Sequence, residues 1–398
     1  MNVSLPPEPG VVIACGGTGG HLFPGIAVAQ AMMERGCGVC LLISEKEVDR
    51  QAAGTVSGMK IATLPAVGLT RGRRIAFAAG FARSFFRSRA LFREFRPGIA
   101  LAMGGFTSAP PILAARRFGA GVFLHESNSI AGRANRMLSR FVRESFIGLP
   151  SAAGTLRGKV TVTGTPVRPE FFGLNAARCR SALGFDPARP VVLVMGGSQG
   201  AEGINRMVAQ MLPRFSSRPY QWLHLAGAVD GAFLRASYEK AGVSAQVHDF
   251  MSRMDLALGA ATVAVSRSGA SSLAELAAAC VPSVLIPFPK AVDNHQYFNA
   301  AAYSETGAAV LMEQCSATTE TLAGALERLL SDDSERERMR ENLKRWQAPG
   351  AAQTIAEAML GSCGYANVPG ISGVAAGHRL SVTGGSGRDV VAGMEAGA

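Results

Sequence analysis

Val11-Val12-Ile13-Ala14-Cys15-Gly16-Gly17-Thr18-Gly19-Gly20-His21-Leu22-Phe23-Pro24 decides how the rest of the chain is read. Four apolar residues in a row suit a strand buried on both faces. The glycines that follow let backbone approach a ligand closely. The next stretch, Gly25-Ile26-Ala27-Val28-Ala29-Gln30-Ala31-Met32-Met33, has helical composition. A helix start offers unpaired N–H groups and partial positive charge, so the loop suits an anion, above all a phosphate. His21 stands at the loop exit, where a group that takes a proton near neutral pH is useful.

The pattern repeats downstream. Gly104-Gly105-Phe106-Thr107-Ser108 follows an apolar run at 99–103. Gly196-Gly197-Ser198-Gln199-Gly200-Ala201 follows another at 191–195. Ser266-Arg267-Ser268-Gly269-Ala270-Ser271-Ser272-Leu273-Ala274-Glu275 puts small and hydroxyl residues between a strand and a helix. Two such loops in each half, each at a strand end, point to a phosphate or diphosphate ligand rather than to tight turns.

Apolar runs at 11–14, 39–43, 61–64, 99–103, 122–124, 145–149 and 160–163 alternate with helical segments, pause near Gly164-Thr165-Pro166, and restart at 191–195, 221–225, 246–250, 262–265 and 284–287. That is α/β organisation: two tandem doubly wound Rossmann-like domains with an interdomain cleft. The divisions are 1–165, an N-terminal Rossmann-like domain; 166–345, a C-terminal Rossmann-like domain; 346–360, a C-terminal helix; and 361–398, a glycine-rich tail expected to be flexible. A chain of 398 residues also exceeds one ordinary core.

The formal charge of +11 is unevenly spread: residues 1–165 hold 20 Lys and Arg against 8 Asp and Glu, and the remainder 20 against 21. The first half therefore favours anionic surfaces. Within it, 71–96 carries eight arginines and one acid among Phe77, Phe81, Phe85, Phe86, Phe92 and Phe95. Phe77, Phe81 and Phe85 share a helix face, and a basic amphipathic helix with little acid suits a membrane surface. The competing reading packs the phenylalanines on the sheet and leaves the arginines in water. No apolar run spans a bilayer, and residues 1–10, with three prolines and no basic residue, do not read as a secretory signal. Seven cysteines, with Cys37 and Cys40 in a lone C-x-x-C, suit buried structural thiols in a reducing compartment. His224 lies mid-strand and reads as a core histidine.

Gly17-Thr18-Gly19-Gly20-His21-Leu22 begins like a dinucleotide fingerprint, with Glu45 at the end of the second strand as its acid. Leu22 occupies the third small position, however, and that reading leaves three anion loops without a ligand. The remaining strand ends carry His125-Glu126-Ser127-Asn128, Arg168 and Asp293-Asn294-His295-Gln296, which suit sugar hydroxyls and a diphosphate. There is no D-x-D pair to hold a metal on a nucleotide sugar, so no metal and no cofactor are expected. No nucleic-acid-binding motif accompanies the basic charge.

Jointly and in order over 11–360, these motifs resemble the MurG family, peptidoglycan N-acetylglucosaminyltransferases of GT-B fold. The resemblance implies an inverting glycosyltransferase. It would move N-acetylglucosamine from UDP-GlcNAc to the C4 hydroxyl of undecaprenyl-diphospho-N-acetylmuramoyl-pentapeptide (lipid I), giving lipid II for peptidoglycan and cell-wall biogenesis, cell shape and division. It implies UDP-GlcNAc contacts at Thr18, Gly19, Gly20, Asn128, Arg168, Ser198, Met251, Ala270, Ser271, Ser272, Leu273, Ala274, Glu275 and Gln296. Glu275 would hold the ribose and the backbone near Met251 the uracil. Gly104 and Gly105 would face the acceptor diphosphate. His21 is the candidate general base and Glu126 the alternative. The implied setting is peripheral, on the cytoplasmic face of the inner membrane, with an anionic leaflet and other cell-wall proteins as partners. Thr165, Ser127 and Cys280 depart from the family's usual asparagine, glutamine and glycine. A related transferase acting on another lipid such as diacylglycerol, and a UDP-sugar-binding protein without turnover, are the alternatives.

Overall fold

The computed structural model describes residues 9–16, 19–45, 58–65, 74–197 and 201–365. The expectations for Thr18, for Ser198 and for a flexible tail beyond 365 lie outside those residues.

Two parallel sheets account for the described strands. The first has seven: β1 (Gly10–Ala14), β2 (Val39–Ser44), β3 (Lys60–Leu64), β4 (Pro97–Ala102), β5 (Gly121–Glu126), β6 (Glu144–Ile147) and β7 (Val160–Val162), in the order β3-β2-β1-β4-β5-β6-β7. The second has six: β8 (Val191–Met195), β9 (Gln221–Leu225), β10 (Ala245–His248), β11 (Val263–Ser266), β12 (Ser283–Leu285) and β13 (Val310–Leu311), in the order β10-β9-β8-β11-β12-β13. Both are doubly wound, as expected. The order reverses between β1 and β4 in one sheet and between β8 and β11 in the other. A crevice opens at each reversal, beyond the carboxyl ends of the strands. The four anion loops of the sequence leave these four strands, so topology gathers them in pairs.

Strand register explains why the strands read as apolar runs. Val12 lies between Cys40 of β2 and Ala100 of β4, with helices above and below, and is fully buried. Strand β4 begins two residues before the apolar run, at Pro97, where the absent N–H costs least. Strand β13, two residues long, carries too little pattern to be anticipated.

The helix Arg74–Phe95 divides its phenylalanines between the two readings. Phe92 is fully buried, and Phe81, Phe85 and Phe95 pack partly against the first core. Phe77 meets Phe106 edge-on, with ring centroids 5.6 Å apart. Phe85 and its neighbour Phe86 cannot share one face, and Phe86 points out at 62% exposure with Ile75 at 87%. The periodic phenylalanines are thus mostly core, and the apolar face left to solvent is smaller than the sequence suggests.

The chain crosses between the sheets twice. Gly164, at φ +77°, sits on the first crossing, where a Cβ would collide with Ala348 of the second. The last helix, Ala351–Ser362, then returns to the first sheet. Its Ile355, Ala356, Met359 and Leu360 join one core with Val11, Ile13, Leu22 and Ile26, and Glu357 pairs with Arg35 at 2.8 Å.

Candidate active site

The two glycine loops of the first sheet touch each other. A Cβ on Gly16 would collide with the Gly104 carbonyl and with the Thr107 hydroxyl. Gly104 and Gly105 have φ of +118° and +77°, conformations that suit glycine. They belong there because the loops need both the turn and the close approach. The helix Gly19–Met33 starts beside them, and the half-buried His21 in its first turn lays its ring on Gly104.

The end of β5 supplies the next wall. His125 is fully buried; its Nε2 donates to the Gly164 carbonyl (3.2 Å), and the Ser127 hydroxyl donates to its Nδ1 (3.3 Å). Burial pushes its pKa down to about 4 despite the Gly164 bond, so it is a neutral strut tied to the first crossing. Glu126 is buried, and both its oxygens are occupied. Oε1 accepts from the Asn128 backbone N–H and Nδ2, and Oε2 from the Gly132 N–H and Asn135 Nδ2, each at 2.9 Å. Four donors on one carboxylate make a brace for the 126–135 turn. That geometry does not suit the alternative base anticipated from the sequence.

Arg168 stands between the sheets. Its guanidinium lies 5.1 Å from the ring centroid of Phe23, in the helix Gly19–Met33, and 5.0 Å from that of Phe171, and it pairs with Glu170 at 3.0 Å. Among the described residues its buried Nε has no hydrogen-bond partner. Glu275 lies close enough for Arg168 to stabilise its charge, yet burial outweighs that and lifts its pKa to about 7.

Glu275 belongs to the helix Ala270–Ala278, which starts at Gly269 with no side chain capping it. Its first N–H groups are therefore open to an anion. Ala270, Ser271 and Ser272 are half-buried, while Leu273 and Ala274 are buried. This helix touches the helix Gly19–Met33, so the anion-binding ends of the two sheets face one another. Arg267, just upstream, turns away: it donates to the carbonyls of Ile286 and Pro287 (3.0 Å each) and to Gln314 (2.7 Å). Gln296 is held by its Oε1, which accepts from the Phe288 N–H at 2.9 Å. Met251 is half-buried against the second core.

Asn299 was not foreseen. It is fully buried in the helix His295–Glu305, and its Oδ1 accepts from the Ser129 N–H (2.8 Å). Its Nδ2 donates to Asn128 Oδ1 and to the Ser268 carbonyl, both at 3.1 Å. The one sequence signal is a polar residue on the apolar stripe shared with Ala300 and Tyr303. Of the departures from the family pattern, Ser127 bonds His125, and Thr165 packs on Gly148.

Opposed helix starts, a guanidinium between them and an imidazole at the lip can hold a diphosphate and move a proton beside it. Comparison with known proteins agrees. The glycosyltransferase family 28 N-terminal domain matches residues 11–147 and its C-terminal domain residues 191–355. Two relatives carry the name UDP-N-acetylglucosamine–N-acetylmuramyl-(pentapeptide) pyrophosphoryl-undecaprenol N-acetylglucosamine transferase. The one from Anaeromyxobacter dehalogenans is 35% identical over 363 residues, 87% of this chain and 91% of that protein. The one from Xanthomonas euvesicatoria is 38% identical over 358 residues, 89% and 81% respectively. The crystal structure of Acinetobacter baumannii MurG superposes with a TM-score of 0.69 at 26% identity, covering 89% of this chain and all of that one.

Proposed function

The chain belongs to glycosyltransferase family 28, and from that premise we propose that it transfers N-acetylglucosamine from UDP-GlcNAc to lipid I, forming lipid II for peptidoglycan synthesis. The observation that carries the reading is the opposition of the helix starts at Gly19 and Ala270 with Arg168 between them. In this reading residues 1–165 serve the acceptor and residues 166–345 the donor.

The donor's uracil lies near the Met251 backbone, and its ribose on Glu275. Its diphosphate lies on Arg168, Ser198 and the helix start Ala270–Ala274. Asn128, Gln296, Thr18, Gly19 and Gly20 complete the donor contacts. Gly104 and Gly105 take the acceptor diphosphate. His21 accepts the proton of the acceptor's C4 hydroxyl as that oxygen bonds to the anomeric carbon. The bond from that carbon to UDP breaks on the opposite face, so configuration inverts. The helix start and Arg168 stabilise the charge on the departing UDP. His21 supports this role by standing on the acceptor loop; Glu126, with four donors on its oxygens, serves to hold Asn128.

The acceptor's polyprenyl tail stays in the bilayer, so the enzyme works at the cytoplasmic leaflet. Phe86 and Ile75, exposed on a helix that also carries Arg83 and Arg87, supply the contact. No helix among the described residues is long and apolar enough to cross a membrane.

The test is release of UDP from UDP-GlcNAc by purified protein, with and without a lipid I analogue. Release that requires the analogue and yields a disaccharide product supports the assignment. Saturable donor binding without release moves the search to other acceptors.

A further inference from the structure

We infer that the segment 293–299 is a clasp between the two halves, and that Asn299 is a positioning residue that sets the direction of the Asn128 amide toward the donor sugar. The inference rests on the reading of Asn128 as a donor contact.

Three observations carry it. First, the buried Asn299 carboxamide joins both halves: Ser129 and Asn128 on one side, Ser268 on the other. Second, the Asn128 amide is held at both ends. Its Nδ2 donates to Glu126 Oε1 at 2.9 Å, and its Oδ1 accepts from Asn299. An asparagine amide has two nearly isosteric orientations, and this pair of partners selects one. Its remaining N–H and lone pair are thereby aimed before any sugar arrives. Third, the clasp continues on its own segment. Asp293 and Asn294 both adopt φ of +52°, which Asp and Asn tolerate better than other residues with a Cβ. The resulting turn presents the Asp293 carboxylate to Arg136 of the first half at 2.8 Å and to Arg133 at 3.8 Å.

The two contacts differ in weight. The ion pair is partly exposed and screened by salt, so it adds little to the clasp. The amide network is buried, and its loss leaves the Ser129 N–H and Asn128 Oδ1 without partners, so Asn299 dominates. Gln296, on the same helix, is tied to Ser268 through its own carbonyl at 2.7 Å. One helix thus carries both a residue that would touch the donor and the residue that joins the halves.

The test compares Asn299→Ala, Arg136→Ala, Asn128→Ala and the double variant Asn128→Ala/Asn299→Ala. UDP and UDP-GlcNAc affinities are measured by calorimetry and turnover with a lipid I analogue. For Asn299→Ala the expected result is UDP affinity within about twofold of the parent, UDP-GlcNAc affinity about tenfold weaker, and kcat about 10–100-fold lower. Arg136→Ala should change turnover by about twofold and flatten its dependence on salt. The double variant should lose less than the product of the two single losses, because the Asn128–Asn299 bond is counted in both. Full additivity, parental behaviour of Asn299→Ala, or equal loss of UDP and UDP-GlcNAc affinity overturns the proposal. Parental donor affinity in Asn128→Ala sinks the donor-contact reading itself. The clasp is then decided by the distance between labels on the two halves, which Asn299→Ala must broaden; an unchanged distribution overturns it.

Discussion

The ring of His21 rests on the backbone of Gly104: a Cβ at position 104 would come 2.7 Å from His21 Cε1 and 2.9 Å from Nδ1. The helix that follows the first glycine loop and the loop that follows β4 are therefore fitted to each other through one ring and one missing side chain.

Gly104→Ala must relieve both that collision and a φ of +118°. We expect turnover to fall about 100-fold or more, with UDP binding within about threefold of the parent, because in the proposed reading the displaced groups serve the acceptor. Calorimetry with UDP beside a turnover assay checks this; equal loss in both would indicate general unfolding instead.

The assignment of the base separates His21 from Glu126. His21→Ala should lower kcat by about 10²–10⁴-fold and abolish the acidic limb of the pH–rate profile, with donor affinity unchanged. Glu126→Gln places an NH₂ against N–H donors, and should lower stability by about 2 kcal/mol or more while keeping the shape of that profile in whatever activity survives. Retention of full turnover by His21→Ala would remove it from the mechanism.

Glu275 binds its proton more tightly in the fold than in the unfolded chain, with a pKa near 7 against an ordinary 4.5. Between those values the folded state holds the extra proton, so stability declines as pH rises from about 4.5 to about 7 and stays reduced above. Glu275→Gln should match the parent near pH 4 and exceed it by roughly 1–3 kcal/mol near pH 8, while binding UDP less tightly. Thermal unfolding at the two pH values, without ligand, reads the difference. A variant less stable than the parent at pH 8 would contradict the burial argument.

Cys280, where the family usually has glycine, follows the helix Ala270–Ala278 with φ of +51°. Cys280→Gly removes the left-handed strain and loses a 3.2 Å contact from Gln347 Nε2, which keeps the Ala277 and Ala278 carbonyls. The net should be a gain of about 1 kcal/mol, with turnover unchanged. A melting point equal to or below the parent's would show that the strain is already relieved elsewhere.

Much of the fold was legible because parallel strands such as Val191–Met195 are buried on both faces and read as unbroken apolar runs. The anion loops were legible because glycine and helix chemistry are local. What escaped was non-local. Asn299 meets Asn128 across 171 positions, and nothing in the neighbourhood of either announces the other. The bracing role of Glu126 escaped for a related reason: beside a histidine, an acid reads as chemistry until its four donors are seen. In the helix Arg74–Phe95 periodicity located the buried face but could not say how little apolar surface would be left outside.

The return of the helix Ala351–Ser362 to the first sheet has a consequence for biosynthesis. The first Rossmann-like unit begins with residue 10 but cannot finish its core until residue 360 has left the ribosome. Leu22 and Ile26 wait through most of translation for Ile355 and Leu360 to cover them, an interval in which holdase binding is favoured. A released chain that lacks residues 351–362 therefore leaves that face of the first core uncovered while the second core, which closes by Trp346, is complete.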